Sequence, residues 1–217
     1  DEYQSAFSSI CAVLKLFLSD DDHGTGSGKF FAENGVLKAL IHLMKTHMNV
    51  SSYLLECTPV LAVFAHFEDF AHYVAKSCVH LVTEAMKIHT ENTRVLTGLF
   101  DLMGSLAFDN ENLPLIVQYD GPAAIVDAIC ANPTDANMVL SAIHTLENIA
   151  MCNDEYCQIV LAHGGRDCCE ALAEAYEDNQ EVVSACNSTM LTFNAMVVGS
   201  GGLKTQVKNR VRAMTTN

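Results

Sequence analysis

Asn112-Leu-Pro-Leu-Ile-Val-Gln-Tyr119, Asp120-Gly121 and Thr145-Leu-Glu-Asn-Ile-Ala150 are the marked pieces of the stretch that decides the fold. The first reads as a short helix, with Pro114 in its opening turn, where a missing N–H costs nothing. Asp120-Gly121 reads as a corner, because glycine supplies the freedom that a tight reversal needs. A medium helix follows, with Ala123, Val126, Ile129 and Cys130 at helical spacing, and Asn132-Pro-Thr-Asp135 breaks it. A longer helix then runs from about Asn137 to Met151. Its apolar stripe is Val139, Ile143, Leu146, Ile149 and Ala150, at steps of three and four.

The same unit recurs along the chain. Corner residues fall at Gly35, Ser77, Gly121 and Gly164, spaced 42, 44 and 43 residues apart. The long helices end at Ala65, Ala107 and Ala150, spaced 42 and 43 apart. Equivalent stripes are Leu54, Thr58, Leu61, Phe64 and Ala65 in the first unit, and Leu96, Phe100, Met103, Leu106 and Ala107 in the second. Pro59 should kink the first-unit helix. The fourth unit offers Tyr156–His163, the corner Gly164-Gly165, then Cys169, Leu172 and Tyr176, and a long helix from roughly Gln180 to Val197. A fixed period of this length means stacked helical units, an α-solenoid, each packing only on its neighbours. The reading is a single solenoid over 1–217. It has a partial repeat or cap at 1–20, repeats over 24–69, 70–109, 110–152 and 153–198, and a cap or tail at 203–217. The first helix, with Ala6, Ile10, Val13, Leu14 and Phe17, reads as the last helix of a truncated unit, and Leu203–Met214 as an added capping helix.

The Gly164-Gly165 turn and the run Thr145-Leu-Glu-Asn-Ile-Ala150 resemble the armadillo repeat, which has a Gly-Gly turn before its second helix. Its third helix ends in Ala-Leu-x-Asn-Leu-Ala. The resemblance covers roughly residues 3 to 197 and implies an all-α, right-handed solenoid of armadillo-like three-helix repeats; HEAT-type helix pairs are the alternative. It also implies a concave groove, where asparagines grip an extended peptide and a tryptophan one turn earlier supports Lys or Arg stems. Asn148 matches the asparagine, and His144 stands at the tryptophan position. In the other units the asparagine position falls at Val63, Ser105 and Asn194, and the tryptophan position at Pro59, Asp101 and Met190. The ladder is thus degenerate, which argues against a nuclear-import-type receptor. The expected partner-binding groove residues are Asp101, Ser105, His144, Asn148, Asn187 and Asn194.

Among proteins made of such repeats alone, the chain resembles the armadillo-repeats-only proteins of apicomplexan parasites. That resemblance implies a non-enzymatic adaptor acylated at its N-terminus on the cytosolic face of the rhoptry. There it would recruit a myosin motor and other cytosolic factors to position the organelle. The sequence opens at Asp1 rather than methionine, which predicts a trimmed N-terminus and leaves any lipid anchor out of view. Other classes to weigh are a transport receptor for basic segments and a structural module of a larger, for instance ciliary, assembly.

Composition bounds these readings. Half of the 217 residues are hydrophobic, enough for a continuous core. The net charge is −14, but Lys204, Lys208, Arg210 and Arg212 crowd the final fourteen positions, leaving 8 basic against 26 acidic residues before them. Such a body should repel nucleic acid and anionic lipid and attract basic protein segments. Nine scattered cysteines, an odd number at apolar helix positions, read as reduced buried thiols in the cytosol rather than disulfides.

Three motifs point to no chemistry. Gly24-Thr-Gly-Ser-Gly-Lys29 resembles a phosphate loop, but His23 stands at its first glycine, Phe30 follows the lysine, and no strand precedes it. Cys152, Cys157, His163, Cys168 and Cys169 lack the paired spacing of a zinc site. No Ser, His and Asp or Cys and His arrangement suggests a nucleophile. The expectation is a protein with no cofactor, no metal and no catalytic residues.

Overall fold

The computed structural model describes residues 2–19 and 26–196. Among these the elements are α1 (Glu2–Ser19), α2 (Ser27–Glu33), α3 (Val36–Thr46), α4 (Ser51–Ala65), α5 (Glu68–Ile88) and α6 (Thr93–Ala107). A 3-10 turn at Asn110–Asn112 leads into α7 (Leu113–Gln118), then α8 (Gly121–Ala131), α9 (Ala136–Ala150), α10 (Asp154–Ala162), α11 (Gly165–Ala175) and α12 (Gln180–Met196). The long helices α1, α4, α6, α9 and α12 pack each on the next, and α3, α5, α8 and α11 form a second layer behind them. The core is continuous through both layers. Every residue of the expected long-helix stripes in α4, α6 and α9 is buried.

Local chemistry sets the helix starts. Asn92, Asp135 and Asn153 cap α6, α9 and α10, their side-chain oxygens accepting from the N–H of Val95, Met138 and Tyr156 at 3.3, 3.0 and 3.0 Å. Each satisfies a backbone donor that the helix itself leaves orphaned. The Thr93 side chain and the backbone amides of Met138 and Asn137 also hold the Asp135 carboxyl below the usual carboxylate range, burial opposing them. A depressed folded pKa contributes stability above the unfolded value of about 3.9, lost as pH falls through the folded value. Asp135→Ala should therefore cost about 1 kcal/mol at neutral pH. Urea titrations should find that difference shrinking only below about pH 4.

Three corners carry a residue in left-handed geometry: Gly35 (φ 84°), Asp120 (φ 59°) and Gly164 (φ 89°). In the third unit the reversal is thus made by Asp120, not Gly121. Gly121 is already helical, and it is glycine for another reason. A Cβ there would lie 2.8 Å from Ile116 Cγ2 and 2.9 Å from the Ile116 carbonyl oxygen.

Two expectations fail here. No corner forms at Ser77; α5 runs unbroken through it for 21 residues. Serine does not enter the left-handed region readily, so nothing interrupts the bonding ladder and the short and medium helices fuse. Of the core stripe read for α1, only Leu14 is buried, together with Cys11 and Leu18. Ile10, Val13 and Phe17 remain half or more exposed, because α1 meets α4 on one side only and faces an open cleft on the other. Pro59 lies inside α4, which continues on both sides of it. Ser27, Gly28 and Lys29 begin α2, so the glycine-rich run ends in a helix. Val197 and the capping helix expected at Leu203–Met214 lie outside the described residues.

Candidate functional site

The exposed faces of α4, α6, α9 and α12 line one side of the stack. Burial fixes how they correspond. Buried positions in α4 repeat in α6 at an offset of 42 (Leu54, Leu61 and Phe64 to Leu96, Met103 and Leu106). From α6 to α9, and again to α12, the offset is 43 (Leu96, Phe100 and Met103 to Val139, Ile143 and Leu146, then Val182, Cys186 and Thr189). One row along the groove is therefore Pro59, Asp101, His144 and Asn187. The next, one turn on, is Val63, Ser105, Asn148 and Leu191. A third, at the helix ends, is His66, Phe108, Met151 and Asn194.

This corrects the fourth-unit register. Asn194 does not stand in Asn148's place; Leu191 does, and it is 69 % exposed. Asn194 instead accepts at 2.8 Å from Arg166 Nη2, whose guanidinium lies 5.9 Å from the Phe193 ring centre. Met190 is not the equivalent of His144, since that place belongs to Asn187. Burial sets the register: Phe193 stands at the place of Ala150, whereas an offset three residues longer would set exposed Ala195 against buried Ile149.

Side chains on neighbouring long helices tie the rows together. Ser105 Oγ and His66 Nε2 lie 3.3 Å apart, and Ser141 Oγ donates to the Asp101 carboxylate. Thr145 Oγ1 donates to the Phe100 carbonyl at 3.0 Å, and Asn148 Nδ2 to the Gly104 carbonyl at 3.4 Å. Glu147 Oε1 accepts from Ser188 at 2.8 Å and from Thr192 at 3.3 Å. Ser141, Glu147 and Ser188 do not stand out in the sequence. Their signal is a hydroxyl about 41 residues after a carboxylate or histidine, which only a settled register makes meaningful.

These bonds restrict what the groove can do. Asn148 donates one N–H to Gly104, leaving an N–H and its carbonyl oxygen to a ligand. Asp101 and Glu147 keep acceptor capacity after binding hydroxyls, since a carboxylate offers about four lone-pair sites. His144 and Asn187 are exposed. Asp101, Ser105, His144, Asn148 and Asn187 are thus on one surface, while Asn194 sits at its edge.

The cysteines are interior groups. Burial pushes the Cys57 thiol up to about 12 and Cys11 to about 11. All are free thiols: Cys168 is hydrogen-bonded with Cys130, and Cys169 with Cys186, within the α8–α11–α12 core. Of the residues weighed as metal ligands, Cys168 and Cys169 lie in that core, Cys157 is buried, Cys152 is half-buried and His163 is exposed. Among the described residues no group of three or more His, Cys, Asp or Glu side chains is placed to hold a metal ion. No single described helix is long and apolar enough to cross a membrane.

No family model matches the sequence, and no curated protein does. Solved structures do match the fold. A designed armadillo repeat protein in complex with the peptide (KR)4 is similar with a TM-score of 0.69 and 14 % identity, over 96 % of this chain and 92 % of that one. A second designed armadillo repeat protein matches with a TM-score of 0.69 and 14 % identity, over 98 % and 92 % of the two chains. An engineered protein matches at 0.66 and 16 % identity, over 96 % and 91 %. The chain therefore has the all-α armadillo solenoid fold.

Proposed function

We propose that the chain is a non-enzymatic protein-binding scaffold whose groove over α6, α9 and α12 takes an extended basic segment. The observation that carries this is the charge of the groove's central units. Nine acidic residues and no lysine or arginine lie between Arg94 and Arg166, with Asp101 and Glu147 on the groove face beside Asn148. The (KR)4 peptide held by a designed protein of the same fold supports basic chemistry for the partner. Titration with a (Lys-Arg)4 peptide tests it. Affinity should fall steeply with salt, and Asp101→Asn combined with Asn148→Ala should weaken binding at least tenfold, about 1.4 kcal/mol. Unchanged affinity in that double variant would remove the groove as the site.

A finer reading is supported by the sequence resemblance to armadillo-repeats-only proteins. On it, the scaffold sits on the cytosolic face of a rhoptry through an N-terminal acyl anchor and recruits a myosin motor that positions the organelle. Tagged full-length protein should then localise to rhoptries and co-precipitate a myosin heavy chain; a diffuse signal without myosin would sink it.

A further inference from the structure

The third groove row differs in chemistry from the other two. Phe108 and Met151 end α6 and α9 and are 69 % and 56 % exposed, with the His66 ring 6.0 Å from that of Phe108. Large exposed apolar side chains at equivalent ends of adjacent helices place Phe108 and Met151 along one edge of the stack, here called the lip. The connection following each helix is acidic. Glu68 and Asp69 follow His66, Asp109 and Glu111 follow Phe108, and Asp154 and Glu155 follow Met151. The six residues are exposed or half-buried, and those three connections contain no lysine or arginine. A ligand for this lip needs apolar side chains on one flank and cations on the other.

The chain itself carries such a segment. In residues 203–214, Leu203, Val207, Val211 and Met214 recur at steps of four, four and three, and Lys204, Lys208, Arg210 and Arg212 lie between them, with no acidic residue. Its starting point also fits. The last described residue of α12, Met196, lies at the same end of the stack as Met151 and Phe108, because the long helices run parallel in successive repeats. Neighbouring helices sit about 10 Å apart, so Phe108 is about 20 Å from the end of α12. Residues 197–202 reach about 20 Å when extended. The twelve residues that follow add enough chain to cross both helix ends.

We propose that residues 203–214 dock in cis on the acidic, apolar lip formed by Phe108, Met151 and the loops beginning at Asp109 and Asp154. The surface is then self-covered, and a partner that uses it must displace this segment. The lip lies one turn beyond the Asn148 row, with His66 touching both Ser105 and Phe108, so substitutions in each row tell the two surfaces apart.

The test uses the full chain and a fluorescent synthetic peptide of residues 203–214. A variant with Lys204, Lys208, Arg210 and Arg212 all changed to Glu should bind the peptide at least tenfold more tightly than the unaltered chain, because its lip is vacated. Adding Phe108→Ser and Met151→Ser should abolish that binding, whereas adding Asp101→Asn and Asn148→Ala should leave it intact. Equal affinity for the two chains, or binding that survives the lip substitutions, overturns the proposal. Zero-length carbodiimide coupling of the unaltered chain gives a second readout. Lys204 and Lys208 should join to Glu111, Asp154 or Glu155 within monomers; products confined to dimers would place a second copy on the lip and overturn docking in cis.

Discussion

Phe100→Ala is expected to destabilise the chain by about 3–5 kcal/mol, the range for removing a fully buried aromatic ring. Phe100 has no exposed surface and lies mid-way along α6, between the faces packed on α4 and α9. Its own carbonyl accepts from Thr145 Oγ1 across the α6–α9 junction, so the backbone there has little room to collapse into the cavity. The loss falls on the interfaces between units, where a solenoid holds its coupling. Urea unfolding followed by circular dichroism should show both a lower midpoint and a broader or two-step transition. The control is Phe108→Ala, expected to lie within about 0.5 kcal/mol because that ring is mostly in water. A Phe100→Ala loss no larger than the control's would mean the units couple elsewhere.

The second large effect concerns the corners. A methyl on Gly165 would lie 2.6 Å from Val160 Cγ1 and 3.0 Å from the Val160 carbonyl oxygen, with Phe193 Cζ at 3.5 Å. Val160 is fully buried and its carbonyl belongs to α10, so relief requires α10 and α11 to move apart. Gly165→Ala should cost roughly 2–3 kcal/mol, as overpacking of a tight contact does. Gly35 is the contrasting case. It has a left-handed φ of 84°, but a methyl added there would meet nothing within 4 Å, so Gly35→Ala meets only backbone strain of about 1 kcal/mol. Denaturation midpoints of the two variants separate the causes. If Gly165→Ala proved no worse than Gly35→Ala, close approach would not be what requires glycine there.

Much of the scaffold was legible because it follows from local rules. The stripes Leu96-Phe100-Met103 and Val139-Ile143-Leu146 repeat at helical spacing, and every one of those residues is buried. The units were visible because each must bury the same face against its neighbour. The groove was less legible. Asp101, Ser105, His144 and Asn148 could be placed on one surface by counting from matched cores. Asn194 could not, since an error of three residues moves a side chain by almost a full turn, and the sequence of α12 fits either register. The bond partners of Asp101 and Glu147 were hidden for a further reason: Ser141 and Ser188 lie about 40 residues away and carry no local signal.

Sequence alone determined the helical period, the core stripes of α4, α6 and α9, and the acidic body with its basic final segment. These depend on spacing within one helix or on composition, which no neighbour can alter. Only the tertiary structure decided that α5 runs through Ser77, that Asp120 rather than Gly121 makes its reversal, and that half of α1's apolar face stays open. It alone also fixed the third row, where Phe108 and Met151 meet the acidic connections. Each of these depends on which faces are covered by another helix, and coverage is a property of the stack rather than of any one segment.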